Sequence, residues 1–220
     1  MRFKDRRMAG KQLGKTLRAY DGEDAVVYAI PRGGVVTGYE VARALDAPLD
    51  IIIARKIGHP ASPEYAIAAV TENGDPVIDR TEAANVDAAW LARAIATARR
   101  EAKRRREAYS GGIHPLSCGG KTAIIVDDGL ATGLTMKAAA KELLARHPKR
   151  IIIAVPVAPK SVIAELSRLA DEVVTLLSPN GSFEAVGAYY EKFPQITDEE
   201  VDSLLNAARV ERKHGLRNCF

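Results

Sequence analysis

The residues best suited to chemistry in this chain are two adjacent carboxylates, Asp127 and Asp128, which follow the apolar run 121–126. Glycines, threonines and small apolar residues come next: Gly129, Leu130, Ala131, Thr132, Gly133, Leu134 and Thr135. Glycine lets a backbone approach an anion closely, and threonine hydroxyls can donate hydrogen bonds to it. A helix that starts near Thr135 would add unpaired N–H groups. We therefore predict that the 129–135 turn binds a phosphate group.

Two carboxylates are unusual neighbours for a phosphate, because they repel the anion and each other. They fit a ligand that also carries hydroxyl groups or a bound cation. A ribose 5-phosphate meets this condition, since its hydroxyls can bond to Asp127 and Asp128 while its phosphate lies in the turn. A Walker A loop does not fit, because no lysine stands beside Gly133.

Basic residues follow two other apolar runs. The run 25–30 leads into Pro31, Arg32, Gly33 and Gly34, and the run 50–54 leads into Arg55 and Lys56. The carboxyl ends of parallel strands lie on one edge of a sheet, so we expect these residues near the acidic pair, Asp127 and Asp128. Arg32 offers a forked cation, and the two glycines free backbone amides to face an anion. The 31–34 loop thus suits a second anionic group.

The order of the elements predicts the fold. Four continuous β-branched runs, at 25–30, 50–54, 121–126 and 150–155, are typical of strands buried on both faces of a parallel sheet. Helical patterns at 35–45, 135–144 and 161–169 alternate with them, and a fifth run at 172–177 suggests another strand. We predict an α/β fold in which helices cover both faces of a doubly wound, mostly parallel sheet.

One domain is predicted over residues 1–220, with two appended regions. Residues 58–120 interrupt the strand and helix alternation and read as an inserted flap: a hairpin around Asn73 and Gly74, then a helix over 82–109 that ends near 111–112. Residues 178–210 form a C-terminal hood and helix. That helix starts at a capping box, in which Thr197 and Glu200 have the required spacing.

Composition narrows the class of protein. The chain has 220 residues, a formal net charge of +4 and no apolar run near the roughly 20 residues of a membrane span. Cys118 and Cys219 are its two cysteines, which predicts free thiols in a reducing compartment. We therefore expect a cytoplasmic protein that makes no membrane contact. The basic run 99–106 is read as a solvated helix face, a lid over a ligand or a nucleic-acid surface, and the sequence leaves these open.

Residues 124–135 resemble the 5-phosphoribosyl-1-pyrophosphate (PRPP) signature of type I phosphoribosyltransferases throughout their length. From about residue 20 to 210 the chain resembles a group of bacterial and archaeal phosphoribosyltransferases whose substrate is not settled. This resemblance implies PRPP and a nucleobase-like acceptor as partners, Mg²⁺ as cofactor and a homodimer as the default assembly. It also implies that the 31–34 loop, with either Arg55 or Lys56, binds pyrophosphate. Asp127 and Asp128 would orient the ribose hydroxyls and hold the metal.

Other residues receive weaker interpretations. His59, His114 and Glu64 are expected to be idle loop residues, and Trp90 is expected to pack rather than to stack on a base. The aromatic residues of segment 183–193 either form a hood over a flat base or pack against the C-terminal helix: Tyr189, Tyr190 and Phe193. The alternative function is a PRPP-sensing regulator that binds nucleic acid through the basic helix, although nucleic acid is an unlikely partner without a recognised binding motif.

Overall fold

The computed structural model describes residues 2–111, 114–180 and 183–217, so Cys219 and Gly112 lie outside the described residues. Within these ranges, eight strands and six α-helices follow one another: α1 (Arg6–Thr16), β1 (Ala25–Ala29), α2 (Gly33–Ala44), β2 (Leu49–Ile51), β3 (Ala54–His59), β4 (Ser62–Thr71), β5 (Val77–Ile78), α3 (Ala88–Ser110), β6 (Thr122–Val126), α4 (Leu134–Leu144), β7 (Arg150–Val157), α5 (Lys160–Leu166), β8 (Glu172–Leu177) and α6 (Asp198–Arg217). In the described part of the chain, no helix has the length and apolar character needed to cross a membrane.

The central sheet has the order β2-β1-β6-β7-β8, and each neighbouring pair is parallel. Successive residues of its strands face opposite sides. Val27 and Ile124 belong to a core shared with α1, α2 and α6, whereas Tyr28 and Ile125 pack with α4 and α5. Helices thus cover both faces, and the predicted doubly wound, mostly parallel α/β fold is confirmed.

A small antiparallel sheet of order β3-β4-β5 stands beside the main one. It lies between two helices: Ile57 and Val70 pack towards α3, and Ala69 packs towards α4. The predicted turn at Asn73 and Gly74 joins β4 to β5, where the Gly74 N–H bonds to the Thr71 hydroxyl at 3.0 Å. The division into one domain with a 58–120 flap and a 178–210 hood stays a prediction, and the small sheet itself begins at Ala54.

Two elements differ from the sequence-based expectation. The run 50–54 was predicted to form one core strand, but β2 ends at Ile51 and β3 starts at Ala54 in the other sheet. The reason lies in the pairing, because Ala54 lies opposite Thr71 of β4. At the end of β2 the Ile51 carbonyl accepts a bond from the guanidinium of Arg106 at 2.5 Å. Helix α1 was not predicted at all. Asp5 caps it by accepting a bond from the Met8 N–H at 2.8 Å.

The basic run 99–106 contributes to the architecture of the protein. Arg106 is buried and forms an ion pair with Asp50 at 2.9 Å, with about a tenth of each side chain exposed. Asp50 also accepts a bond from the Leu116 N–H at 2.7 Å. Arg99 donates to the Gly74 carbonyl at 2.8 Å. Because these side chains are engaged inside the protein, the C-terminal half of α3 is fixed to the central sheet.

We expect Arg106→Met to lower the free energy of unfolding by about 3 kcal/mol, because it leaves the buried Asp50 carboxylate without its cation. Arg100 is the matched control, since it lies on the same helix, is exposed and bonds only to Thr97 among the described residues. Arg100→Met should change the unfolding free energy by no more than about 0.5 kcal/mol. Urea denaturation of both variants measures the difference, and equal midpoints would show that Arg106 does not anchor α3.

Candidate active site

The acidic pair and the 31–34 loop meet where the sheet changes its direction of winding. Strands β1 and β6 are parallel neighbours, with Ala29 opposite Val126, and the Ile30 N–H donates to the Val126 carbonyl at 2.9 Å. From β1 the chain continues to β2 on one side, and from β6 it continues to β7 on the other. A crevice opens at such a switch point, outside the carboxyl ends of the strands, and ligands of α/β sheets bind there.

The 129–135 turn leads into the N-terminus of α4. Gly133 is the N-cap at φ 71°, a left-handed conformation that favours glycine, and no side chain caps this end of the helix. Thr132, the residue before the N-cap, is exposed, and Thr135, in the first turn of α4, is half-buried. Leu130 and Leu134 are buried in the hydrophobic core, and their packing fixes the position of the turn. The turn has the geometry of an anion site at a helix N-terminus.

Gly133 is a poor position for a blocking substitution. A Cβ there would lie 2.6 Å from Cγ1 of Val162, in addition to the strain of the positive φ. Gly133→Val would therefore disturb the start of α4 itself as well as the entry of a phosphate. The hydroxyl-deleting change Thr135→Val alters the turn with less effect on the backbone.

The two carboxylates of the acidic pair have different surroundings. Asp127 accepts a bond from the Asp128 N–H at 2.8 Å. Burial, followed by the negative charge of Asp128, raises the pKa of Asp127 well above its usual range. Asp128 instead forms an ion pair with Arg6, whose Nε lies 2.6 Å from its Oδ2. One carboxyl group thus holds its proton more tightly than usual, and the other has a cation of its own.

The 31–34 loop lies directly against the acidic pair. The peptide bond between Pro31 and Arg32 is cis, and helix α2 starts at Gly33. A Cβ on Gly33 would overlap Oδ2 of Asp128, and one on Gly34 would lie 2.8 Å from Oδ1 of Asp127. Only glycine fits at these two positions with the acidic pair as it stands. The sequence-predicted loop and the acidic pair therefore form one site.

Arg32 extends from this loop towards the C-terminal helix. Its Nη1 lies 3.7 Å from Oδ1 of Asp198, and more than a third of its side chain is exposed. Tyr109, near the end of α3, donates its hydroxyl to the same Asp198 oxygen at 2.5 Å. Burial, followed by this hydrogen bond, raises the pKa of Tyr109 to about 12, so the phenol stays a donor at neutral pH. The guanidinium of Arg32 is placed to meet an anion at the rim of the crevice.

Arg55 and Lys56 point into different environments from adjacent positions in β3. Arg55 is half-buried, and burial followed by the positive charge of Arg105 lowers the pKa of its guanidinium. Lys56 is exposed and forms an ion pair with Glu64 at 3.2 Å, which gives Glu64 a surface partner. The positive charges of Arg105 and Arg32 act on the pKa of Tyr109 as well, and both lower it against the larger effects that raise it. Successive residues of a strand face opposite sides, so Arg55 shares with Ile57 the side of β3 that packs on α3, and Lys56 faces the other side. We call Arg32, Arg55, Arg104 and Arg105 together the basic rim.

The carboxylate of Glu101 neutralises part of the positive charge of the basic rim. It accepts hydrogen bonds from Arg104 at 2.8 and 2.9 Å and from Arg105 at 3.0 Å. These bonds, that from Arg104 first, lower the pKa of Glu101 to about 2, so the carboxylate is ionised at neutral pH. The rim nevertheless keeps an excess of positive charge, because Arg32, Arg55, Arg104 and Arg105 outnumber Glu101 and Asp198.

Segment 183–193 covers the start of the 129–135 turn. Val186 lies so close to Gly129 that a Cβ there would be 2.5 Å from its Cγ1. Tyr190 is buried against Phe3 and Phe193, with ring centroids 5.4 and 4.8 Å apart. The aromatic residues of this segment pack on one another and on the N-terminal residues. Tyr189 and Phe183 keep more exposure and stack with centroids 5.1 Å apart.

The remaining residues singled out from the sequence lie away from the crevice. His59 accepts a bond from the Ala61 N–H within the turn after β3, and His114 is exposed. Trp90 packs at the edge of the cluster around Ile57 and Val70, in agreement with a packing role. Arg6 is the site residue that sequence reasoning missed. Asp5 signals a helix start, but an arginine beside it carries no sign of a partner 122 residues away.

The site offers few ligands of its own to a metal ion. Within residues 2–111, 114–180 and 183–217, no group of three or more histidine, cysteine, aspartate or glutamate side chains could hold one. The acidic pair supplies two carboxyl groups, one of them already paired with Arg6. Mg²⁺ often binds through one or two carboxylates together with phosphate oxygens and water. The donor set therefore fits a cation that arrives with a phosphorylated ligand.

Substitutions of the two aspartates should change stability in opposite directions. A carboxyl group whose pKa is raised by folding opposes folding increasingly as the pH rises from the ordinary carboxyl range towards the raised value. Asp127→Asn removes this opposition, so it should stabilise the protein at pH 8 and have little effect at pH 4. Asp128→Asn leaves Arg6 without its counterion and should cost roughly 2–4 kcal/mol, near the range for buried pairs. Urea denaturation at the two pH values checks both signs, and destabilisation by Asp127→Asn at pH 8 would contradict the assignment.

Comparison with known proteins identifies the family. The model of the phosphoribosyl transferase domain matches residues 6–191. Two curated Mycobacterium tuberculosis proteins, from strains CDC 1551 and H37Rv, carry the name "Putative phosphoribosyl transferase" and are each 40% identical over 208 residues. The match covers 94% of this chain and 47% of each relative, so the chain spans about half the length of these relatives.

A solved structure has a fold similar to that of this chain. The crystal structure of the protein TT1426 from Thermus thermophilus superposes with a TM-score of 0.78 at 41% identity, over 93% of this chain and 98% of that one. The resemblance inferred from residues 124–135 is thereby confirmed, and the chain belongs to the phosphoribosyl transferase domain family.

Proposed function

We propose that this chain transfers the phosphoribosyl group of PRPP to a nitrogenous base or similar nucleophile and releases pyrophosphate. The observation that carries the proposal is the meeting of the 31–34 loop and the acidic pair at the ends of β1 and β6. PRPP has a phosphate at one end of its ribose and a pyrophosphate at the other. A site with two anion-binding loops on either side of two carboxylates matches that distribution of groups.

Each part of PRPP has a counterpart in the crevice. The 5-phosphate binds the 129–135 turn, where Thr132, Thr135 and the N–H groups of α4 donate to it. The ribose hydroxyls bond to Asp127 and to the part of Asp128 that Arg6 leaves free. The pyrophosphate binds the amides of Gly33 and Gly34 and the guanidinium of Arg32. Arg55 supplies a second cation on the same side.

The reaction breaks the bond between the anomeric carbon and the pyrophosphate oxygen. The electron pair leaves with pyrophosphate, and positive charge develops on the ribose ring until the nucleophile bonds to the anomeric carbon. Arg32 and the loop amides stabilise the leaving negative charge, and the carboxylates of the acidic pair favour the positive ring. No side chain forms a covalent intermediate. Segment 183–193 covers the turn and limits the access of water.

Mg²⁺ is proposed as the cofactor, with Asp127 and Asp128 as its protein ligands. Bound there, the ion would neutralise part of the charge on the pyrophosphate and ribose oxygens. The two carboxyl groups would complete a coordination shell supplied mostly by the substrate and by water.

A nucleic-acid-binding regulator receives less support from the contacts of α3. Of the six cations in the run 99–106, Arg99 and Arg106 bond inside the protein, and Arg104 and Arg105 bond to Glu101. Arg104 and Arg105 share one carboxylate, so part of their charge stays unpaired, but four of the six side chains are held by bonds within the protein. They are therefore less free to follow a phosphate backbone, whose contacts dominate nucleic-acid affinity. A homodimer and an intracellular site of action stay predictions from the sequence.

Pyrophosphate release tests the proposed reaction. The parent protein, mixed with PRPP, Mg²⁺ and a panel of purine and pyrimidine bases, should release pyrophosphate with at least one acceptor. The double variant Asp127→Asn with Asp128→Asn should lose activity by about 100-fold or more, because it removes both charges that favour the developing positive ring. PRPP binding without release across the panel, together with salt-sensitive nucleic-acid binding, would instead favour a regulator.

Arg55 and Lys56 form a matched pair for a second test. Arg55→Met should weaken PRPP binding by on the order of tenfold, the effect of losing one charge-assisted contact to pyrophosphate. Lys56→Met should stay within about twofold of the parent, because its ammonium group is exposed and directed at Glu64. Calorimetric titration with PRPP and Mg²⁺ measures both. The reverse order of effects would move the pyrophosphate contact to Lys56.

A further inference from the structure

Arg6 contacts three parts of the site although it belongs to none of the ligand-binding loops. Its Nε donates to Oδ2 of Asp128 at 2.6 Å, and its Nη1 donates to the Pro194 carbonyl at 2.7 Å. Its guanidinium carbon lies 3.6 Å above the centre of the Phe193 ring. Only 9% of the side chain is exposed. One buried cation therefore joins the acidic pair to the residues that end segment 183–193.

Asp128 has a second connection to the same segment. The Tyr190 hydroxyl donates to the Asp128 backbone carbonyl at 2.5 Å, and the Tyr190 ring packs against Phe193. The N-terminal residues add backbone bonds, because the N–H groups of Glu191 and Lys192 donate to the carbonyls of Phe3 and Lys4 at 2.8 and 3.1 Å. Besides its contact with Arg6, segment 183–193 is thus bound to Asp128 through Tyr190 and to the N-terminal residues through backbone hydrogen bonds.

The contacts of Arg6 require the shape of an arginine. A guanidinium is planar and presents several N–H donors in fixed directions, so one group can bond to a carboxylate and a carbonyl while its face stacks on a ring. A lysine ammonium carries the same charge but is a compact point donor that cannot reproduce the stacked, forked geometry. The charge of Arg6 and its shape can therefore be separated by substitution.

We propose that Arg6 is a positioning residue that couples the ribose side of the site to segment 183–193, the part of the chain that covers it. Its charge holds Asp128 in place for the ribose, and its second donor and planar face hold Phe193 and Pro194. Occupation of the acidic pair by ligand is thereby transmitted to the cover. This inference rests on the proposed function, since it takes PRPP as the ligand of the acidic pair.

Hydrogen exchange and calorimetry test the coupling without knowledge of the acceptor. In the parent, PRPP with Mg²⁺ should slow amide exchange at Glu191 and Lys192, because a fixed Asp128 holds Arg6 and the segment behind it. Arg6→Gln should weaken PRPP binding by on the order of tenfold, as one charged hydrogen bond is lost. It should also speed exchange at both amides and abolish the response to PRPP.

Arg6→Lys separates the two roles. It keeps the charge beside Asp128, so PRPP binding should stay within about threefold of the parent, a smaller loss than that of a full charged contact. It loses the bond to Pro194 and the stacking on Phe193, so the two amides should still exchange faster. Phe193→Leu should reproduce this second effect alone. These two variants decide the question if Arg6→Gln fails to fold.

Arg7→Gln is the matched control, because Arg7 is the next residue of α1, is 57% exposed and pairs at 3.3 Å with Glu40, a buried carboxylate that keeps Arg43 as a second partner at 3.8 Å. It should leave both PRPP binding and exchange unchanged. Parental behaviour of Arg6→Gln and Arg6→Lys in a protein that binds PRPP would overturn the inference, as would an equal response to Arg7→Gln. Absence of PRPP binding in the parent would instead refute the proposed function, so the two failures are distinguishable.

Discussion

The arrangement of this site follows from the need to compensate two adjacent negative charges at the end of a buried strand. Asp127 and Asp128 follow β6 without a residue between them, and each raises the electrostatic energy of the other. Two features of the structure compensate for this repulsion. Asp127 holds a proton more tightly than an ordinary carboxyl group, and Asp128 is paired with the buried Arg6. The N-terminal helix supplies Arg6, the 31–34 loop packs against the two carboxylates, and segment 183–193 packs on Arg6 through Phe193.

The same principle organises the outer rim. Arg32 lies near Asp198, and Glu101 is shared by Arg104 and Arg105. These carboxylates reduce the electrostatic repulsion among the neighbouring arginines, and they leave Arg32 and Arg55 partly accessible. Farther along α3 the pair between Arg106 and Asp50 has an architectural role, because it ties the helix that carries the rim to β2.

Periodic and local signals made much of the fold predictable. The continuous β-branched runs indicated the parallel strands, the Thr197 and Glu200 spacing indicated the start of α6, and the Asn73 and Gly74 pair indicated the turn between β4 and β5. The positions of the 31–34 loop and the 129–135 turn were predictable because each follows closely on a strand end. Such signals depend on residues that lie close together in the chain.

Features that depend on distant partners were not predictable. Nothing beside Arg6 reveals that Asp128 lies 122 residues away, and the run that holds Arg106 looks like a solvated helix face until the position of Asp50 is known. The different surroundings of Arg55 and Lys56 were not predictable either, because they depend on the side of β3 on which α3 packs. The strand β4 extends through Ser62 and Pro63, where composition indicated only a loop, because pairing with β3 overrides the local preference.

The close fit of Gly33 against the acidic pair has a consequence for the 31–34 loop itself. The hydrogen on its α-carbon is the largest group that the space beside Asp128 Oδ2 and Arg6 Nε accepts. A methyl group at this point would act as a wedge between the loop and the ion pair. The 31–34 loop, the acidic pair and Arg6 are therefore adjusted to one another within the width of a single carbon atom, and residue 33 is where a minimal change would reach all three.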